Sequence, residues 1–189
     1  MKYKFITENL KYDGQQLRSL FAYLNYQIHG DSIVSWVGEC DIPSQHMVDG
    51  EDLLAGAEIR GRKMVHFIIE KFSASLYTGV SLQRLFSSIC KDVIVSLAEH
   101  KDLALRMYRD GDDLYVDDRK LSISIATVSP VSTLIHFAVN VTNENTPVKT
   151  LSLQELEVDP RDFADKVMEF FVREEDEIVC ATQKVKWVT

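Results

Sequence analysis

What this chain lacks bounds it first. Although 46% of its 189 residues are hydrophobic, no apolar run approaches the ~20 residues that a helix needs to cross a bilayer. A membrane-embedded protein is therefore not expected. The start, Met1-Lys2-Tyr3-Lys4, is not followed by the apolar core of a signal peptide. Positive charge is in short supply: 21 Lys and Arg face 29 Asp and Glu, for a net charge of −8. General binding of nucleic acid or an anionic membrane needs a basic surface, so neither is expected. Cysteine is scarce, odd in number and scattered, at Cys40, Cys90 and Cys180, which excludes a disulfide framework or a zinc pair. A reducing cytoplasm fits that usage. No internal repeat, low-complexity segment or linker interrupts the chain, so 1–189 reads as a single domain, long enough to bury a core. Oligomeric state stays open, a homo-oligomer included.

The patterning predicts mixed elements. Residues 2–6 alternate weakly, as an edge strand would. Asp13-Gly14 opens a helical pattern with Leu17, Leu20, Phe21 and Leu24 on one face, Asp13 serving as N-cap. His29-Gly30-Asp31 is a turn before a strand over 32–37. Residues 38–54 look irregular and acidic, with Glu39, Asp41, Asp49, Glu51 and Asp52 around His46 and Met47. Arg60-Gly61-Arg62-Lys63 is the one dense basic cluster, a loop leading into a strand over 64–72. Leu82, Leu85, Phe86, Ile89, Val93 and Leu97 then mark the best helix, over 81–99, with Ser81 as cap. Asp159-Pro160 starts a third helix with Phe163, Val167, Phe170 and Phe171 inward, and 178–188 reads as a closing strand. Elements mix without regular βαβ alternation, which predicts an α+β fold with a mostly antiparallel sheet packed with helices.

Two stretches suggest chemistry. Leu114-Tyr115-Val116 and the alternating residues 120–128 read as strands joined by an Asp-rich turn. Residues 133–141 put Ile135, Phe137, Val139 and Val141 on one face and Leu134, His136, Ala138 and Asn140 on the other. The greasy face can lie under helices while the other floors a pocket.

Together these stretches resemble the signature of the biotin protein ligase and lipoate ligase catalytic domain. That family has a basic residue, here Arg109, then Asn-Asp-aliphatic-Tyr, here Asp112-Asp113-Leu114-Tyr115. A short turn follows, then a lysine opening a strand, here Lys120, and a later strand ending as Val139-Asn140-Val141 does. The resemblance is strongest over 109–140, reaches loosely back to Arg60, and covers the catalytic domain only. Class II aminoacyl-tRNA synthetases share that fold more remotely. The runs Gly30-Asp31-Ser32-Ile33-Val34, His46-Met47-Val48-Asp49 and Ser129-Pro130-Val131-Ser132-Thr133 also resemble an uncharacterised prokaryotic family related to these ligases.

The resemblance implies a pocket for a small carboxylic acid, an adenine nucleotide, or both, with ATP and Mg2+ if the reaction is acyl-adenylation and transfer. In it, Lys120 would reach the acid's carboxylate and the α-phosphate, offsetting charge that builds up as the adenylate forms. Arg109 and Asp113 would belong to the same catalytic group. Arg60, Gly61, Arg62 and Lys63 would close over the ligands, and Asn140 would lie on the nucleotide side, with His66 and His136 lining the pocket. The chain departs from the family's pattern in four places. Arg109 stands for lysine, Asp112 stands for asparagine, His136-Phe137-Ala138-Val139 replaces a Gly-rich strand, and the Arg60 run holds one glycine. These departures motivate a second expectation: a catalytically silent binding or assembly module on the same fold.

The residues also have plainer readings. Lys120 is equally a solvated hairpin lysine, and the basic run a solvated loop. His136 is equally a hydrogen-bonded interior histidine. His66 and Glu70 share a face but stand roughly 13 Å apart on a strand, too far for an acid–base pair. His46, Asp49 and Asp52 lack a diagnostic metal spacing, and no metal ligand set is assigned. Cys90 belongs to the core. Cys40, between two acids, would have a raised pKa and make a poor nucleophile.

Overall fold

The computed structural model describes residues 1–188. In chain order the elements are β1 (Lys2–Phe5), α1 (Phe21–Tyr26), β2 (Ser32–Ile42), α2 (Gly50–Ala55), β3 (Ile59–Phe72), α3 (Leu76–Leu97) and α4 (Lys101–Ala104). Next come β4 (Tyr108–Asp110), β5 (Asp113–Val116), β6 (Arg119–Lys120), β7 (Ser122–Val128), β8 (Ser132–Asn140) and α5 (Pro160–Thr182). Five strands form one sheet in the order β1-β2-β3-β8-β7, and β4-β5-β6 form a small second sheet. Among these named strands, only β1 and β2 pair in parallel. The expected α+β fold with a mostly antiparallel sheet is what forms.

Strand alternation explains the layering. On β3 and β8, Val65, Phe67, Ile69, Ile135, Phe137 and Val139 point to one side. There they bury against Leu82, Phe86, Cys90 and Val93 of α3 and Phe163, Val167 and Phe171 of α5. The opposite face, including Met64, Ile68, Ala138 and, from β2, Trp36, lies beneath Ile6, Tyr12, Phe21 and Ala22. Residues 6–28 thus supply a third layer over the face that the sequence offers as a pocket floor.

Six local expectations change. Residues 38–54 are not irregular throughout: β2 runs on to Ile42 and α2 forms over Gly50–Ala55. The helix expected from Asp13 begins only at Phe21, because Leu20 sits in the left-handed region at φ 65°. Its N–H donates to both carboxylate oxygens of Glu70 at 3.0 Å. Asp13 instead closes a local turn, accepting from Gln15 N–H at 3.1 Å, and Leu24 is exposed. Helix α3 starts earlier than Ser81, capped by Ser75, which accepts from Thr78 N–H. Its first turns run close over β8: a Cβ at Gly79 would lie 2.1 Å from Thr133 Oγ1. The run 60–63 is not a loop, since β2 continues past a bulge and pairs Asp41 with Arg60 and Cys40 with Gly61. Phe170 is exposed, with the Arg173 guanidinium 4.9 Å from its ring centroid. Residues 178–182 complete α5 and 183–188 form no strand; the Arg-Glu-Glu run at 173–175 favours helix propagation over the weak alternation that follows.

Candidate functional site

A cleft of 430 Å3 opens between α2, the start of β3, the β5–β6 corner and the segment 146–150. Its volume suits a small molecule. Arg60, Asp113, Lys120 and Asn140, drawn from four strands, all line it. At the corner, Tyr115 pairs with Lys120 across β5–β6, and Lys120 Nζ meets Asp113 Oδ2 at 2.6 Å. Burial by itself would pull the Lys120 pKa down, but the bond to Asp113 and that carboxylate's charge outweigh it and raise it. Burial also lifts the Asp113 carboxyl above its ordinary range, against the pull of Lys120 and with help from the neighbouring Asp112 charge. The ammonium is firmly charged and already engaged.

Asp112 is held without any cation. Its Oδ2 accepts from Gln83 Nε2 at 2.8 Å and from Ser124 Oγ at 2.5 Å. Ser122 Oγ accepts from Leu114 N–H at 2.9 Å, tying β7 to β5. Asn140 is 4% exposed, and its amide orientation follows from its partners. Nδ2 donates to Lys120 O and to Leu151 O, each at 3.3 Å, so Oδ1 turns the other way. Arg60 pairs with Glu58 at 3.0 Å.

The other expected residues lie elsewhere. Gly61 is buried in β3 and does not line the cleft. Arg62 and Lys63 border a separate surface cavity with Glu39 and Glu144, where Arg62 Nε is 3.0 Å from Glu144. Arg109, on exposed β4, folds back to donate to Gly111 O. The run 60–63 therefore does not act as one clamp: the cleft receives Arg60 alone.

His66 does not line the cleft, and His136 borders instead a small neighbouring cavity of 40 Å3 that shares Asp49, Asp52, Ile123 and Ser124 with it. The two histidines lie across the β3–β8 ladder, 0% and 1% exposed, with His66 Nδ1 and His136 Nε2 3.1 Å apart. His66 Nε2 is 3.3 Å from Gly38 O. A carbonyl can only accept, so His66 carries its proton on Nε2 and accepts at Nδ1 from His136 Nε2–H. Tyr12 closes over the pair, its ring stacked on His136 at 3.7 Å between centroids. Burial drives the His66 pKa down to about 3 and that of His136 well below its ordinary value, so both rings are neutral. Glu70, the partner weighed for His66, serves Leu20 N–H and Ser132 Oγ instead. Among the described residues, no three His, Cys, Asp or Glu side chains converge to hold a metal ion.

Sequence reasoning overlooked Tyr12 and Gln83. Gln83 carried a signal, a polar residue in the helix stripe that buries Leu82 and Phe86. Tyr12 carried none, since its stacking partner lies far along the chain. The acids of α2 were noticed as loop acids and not as a cleft wall.

This architecture is that of the biotin and lipoate ligase catalytic domains. The chain superposes on the biotin protein ligase from Aquifex aeolicus in complex with biotin and ATP at TM-score 0.57 and 10% identity, covering 89% of this chain and 68% of that one. It superposes on P. falciparum LipL1 in complex with lipoate at TM-score 0.60 and 12% identity, covering 99% and 64%. These likenesses concern the fold. More similar in sequence is a protein of unknown function from Pyrococcus horikoshi, 37% identical with TM-score 0.89 over 99% of this chain and 100% of that one. The chain belongs to the family described as Domain of unknown function (DUF366), which matches residues 1–186. No helix among the described residues is long and apolar enough to cross a membrane.

Proposed function

We propose that the cleft beside Lys120 binds a small carboxylic acid, and that the chain activates it with ATP as an acyl-adenylating ligase or transferase. One observation carries this reading: Arg60, Asp113, Lys120 and Asn140, from four different strands, line a single small-molecule-sized cleft. The solved ligases of this fold, in complex with biotin and ATP or with lipoate, support the substrate class. A substrate carboxylate would compete with Asp113 for the Lys120 ammonium. Adenylation would then join a carboxylate oxygen to the α-phosphorus and expel pyrophosphate, with Lys120 offsetting charge on the reacting oxygens. The cleft offers no ready three-ligand metal site, so no step is assigned to a protein-held metal; Mg2+ would arrive as part of the nucleotide substrate. The test is acid-dependent exchange of labelled pyrophosphate into ATP across a panel of biotin, lipoate, fatty acids and amino acids. Calorimetric binding to wild type and Lys120→Ala accompanies it. Exchange abolished by Lys120→Ala supports the proposal, whereas no acid binding and no exchange would reject it.

A second reading rests on a specific observation. His136 is buried against Tyr12 and Lys120 is already paired, which favours a catalytically silent binding module. Binding without exchange is its signature.

A further inference from the structure

The cleft has a charge balance that a plain carboxylic acid does not match. Six carboxylates line it, from Asp49, Glu51, Asp52, Glu58, Asp112 and Asp113, against two cations, Arg60 and Lys120. Each cation is paired, with Glu58 and Asp113 respectively, which leaves a surplus of four negative charges. Asp49 is committed to capping α2, and Asp112 to Gln83 and Ser124. Among the described residues, Glu51 and Asp52 hold no side-chain partner and no cation. An anionic ligand would be repelled by this wall.

A second, independent feature points the same way. Asn140 is 96% buried by its 4% exposure and lines the cleft. Its Nδ2 is spent on two backbone carbonyls, and among the described residues nothing donates to Oδ1. That oxygen is not sealed in protein with the buried unpartnered atoms. It is an acceptor held in place by its own amide and waiting for an N–H. A metal ion is the poorer answer to so much negative charge, because no three ligands converge. An organic ammonium, larger and able to donate in three directions, suits carboxylates spread along a wall.

We infer that the acid bound here also carries an amino group. The ligand is an aminocarboxylic acid, its carboxylate taken by Lys120 and its ammonium by Asn140 Oδ1 and the free acids of α2. This deepens the proposed function and rests on its assignment of the carboxylate to Lys120. The ammonium cancels the repulsion that a simple acid would meet, so discrimination comes from charge pairing as well as shape.

The experiment compares matched triplets by calorimetry at low salt. Leucine, 4-methylpentanoate and 3-methylbutylamine form one, and 6-aminohexanoate, hexanoate and hexylamine another. In at least one triplet the amino acid should bind about tenfold or more tightly than both fragments. The Glu51→Gln/Asp52→Asn double variant alters two surface carboxylates without side-chain partners and should fold normally. It should weaken the amino acid about three- to tenfold and strengthen the amine-free acid, an opposite pair of shifts that a structural defect does not produce. Asn140→Asp should tighten the amino acid and weaken the plain acid if it folds; the double variant decides alone if it does not. Plain acids binding as well as their amino acids would overturn the inference and leave the proposed function standing. Amines binding as well as amino acids would instead remove the carboxylate from Lys120, and with it both readings. Absence of binding by every member overturns the inference.

Discussion

His66 and His136 hold each other by one N–H···N bond of 3.1 Å beneath the ring of Tyr12. The pair has a consequence for acid stability whose sign follows from linkage. Both folded-state values are depressed, that of His66 to about 3. Above pH 6.5 both rings are neutral folded or unfolded, and they contribute nothing. Below it the unfolded chain takes up protons that the native state refuses. Stability should therefore fall as pH drops through 6.5 toward about 3, by up to about 1.4 kcal/mol per pH unit for each ring. Urea denaturation between pH 7.5 and 5 isolates this window, because most carboxylates titrate lower. A midpoint independent of pH across it would show that the rings do not stay neutral.

Phe86 should be the most sensitive position on α3. It is fully buried and meets Phe67, Phe137 and Phe171 edge-on, with centroids 5.0–5.2 Å away. Phe86→Ala should cost ~3–5 kcal/mol. Leu85→Ala and Ile89→Ala should cost less than the ~2–5 kcal/mol of fully buried aliphatic truncations, since both side chains are only partly buried. Chemical denaturation of the three variants gives the order. Equal losses would mean that the face of α3 is rotated from the one described.

The Lys120–Asp113 pair should behave as a coupled unit. Its side chains keep 29% and 23% exposure, so Lys120→Ala should cost about 1–2 kcal/mol, below the ~3–5 kcal/mol of a fully buried pair. Most of that loss is the carboxylate left behind, so adding Asp113→Ala should restore stability. A double-mutant cycle in urea measures this. Simple additivity of the two substitutions would disprove the coupling.

Thiol reactivity gives a direct check on packing. Cys40 and Cys90 are buried and Cys180 is exposed, and burial lifts the Cys40 pKa to about 12 and that of Cys90 well up. A disulfide-exchange reagent at pH 8 should modify one thiol in the native protein and three in urea. Rapid reaction of a second native thiol would contradict the fold around β2 or α3.

The fold was legible where a local rule and the tertiary context agreed. Alternation on β8 separated His136 from Phe137, and Asp159-Pro160 marked the start of α5. It was not legible where distant partners decide. The run 60–63 looks like a loop until β2 is known to extend past its bulge and pair with it. The two strands joined by an Asp-rich turn were legible, and it is their pairing that brings Lys120 beside Asp113. The emptiness of Asn140 Oδ1 could not be read, because it depends on the carbonyls of Lys120 and Leu151 occupying the other end of the amide. Phe170 failed because a helical stripe does not say where its edge meets solvent.

One missing methyl group has a reach beyond its own contact. Gly79 lets the first turns of α3 settle against Thr133, and Gln83 stands one helical turn further along the same face. Gln83 in turn grips Asp112 and Ser124 at the cleft. The helix is thus a lever whose fulcrum is a glycine and whose load is a carboxylate. Lifting it at residue 79 would loosen the grip on Asp112 and let that charge move, so the electrostatic shape of the cleft is tuned from the far side of the sheet.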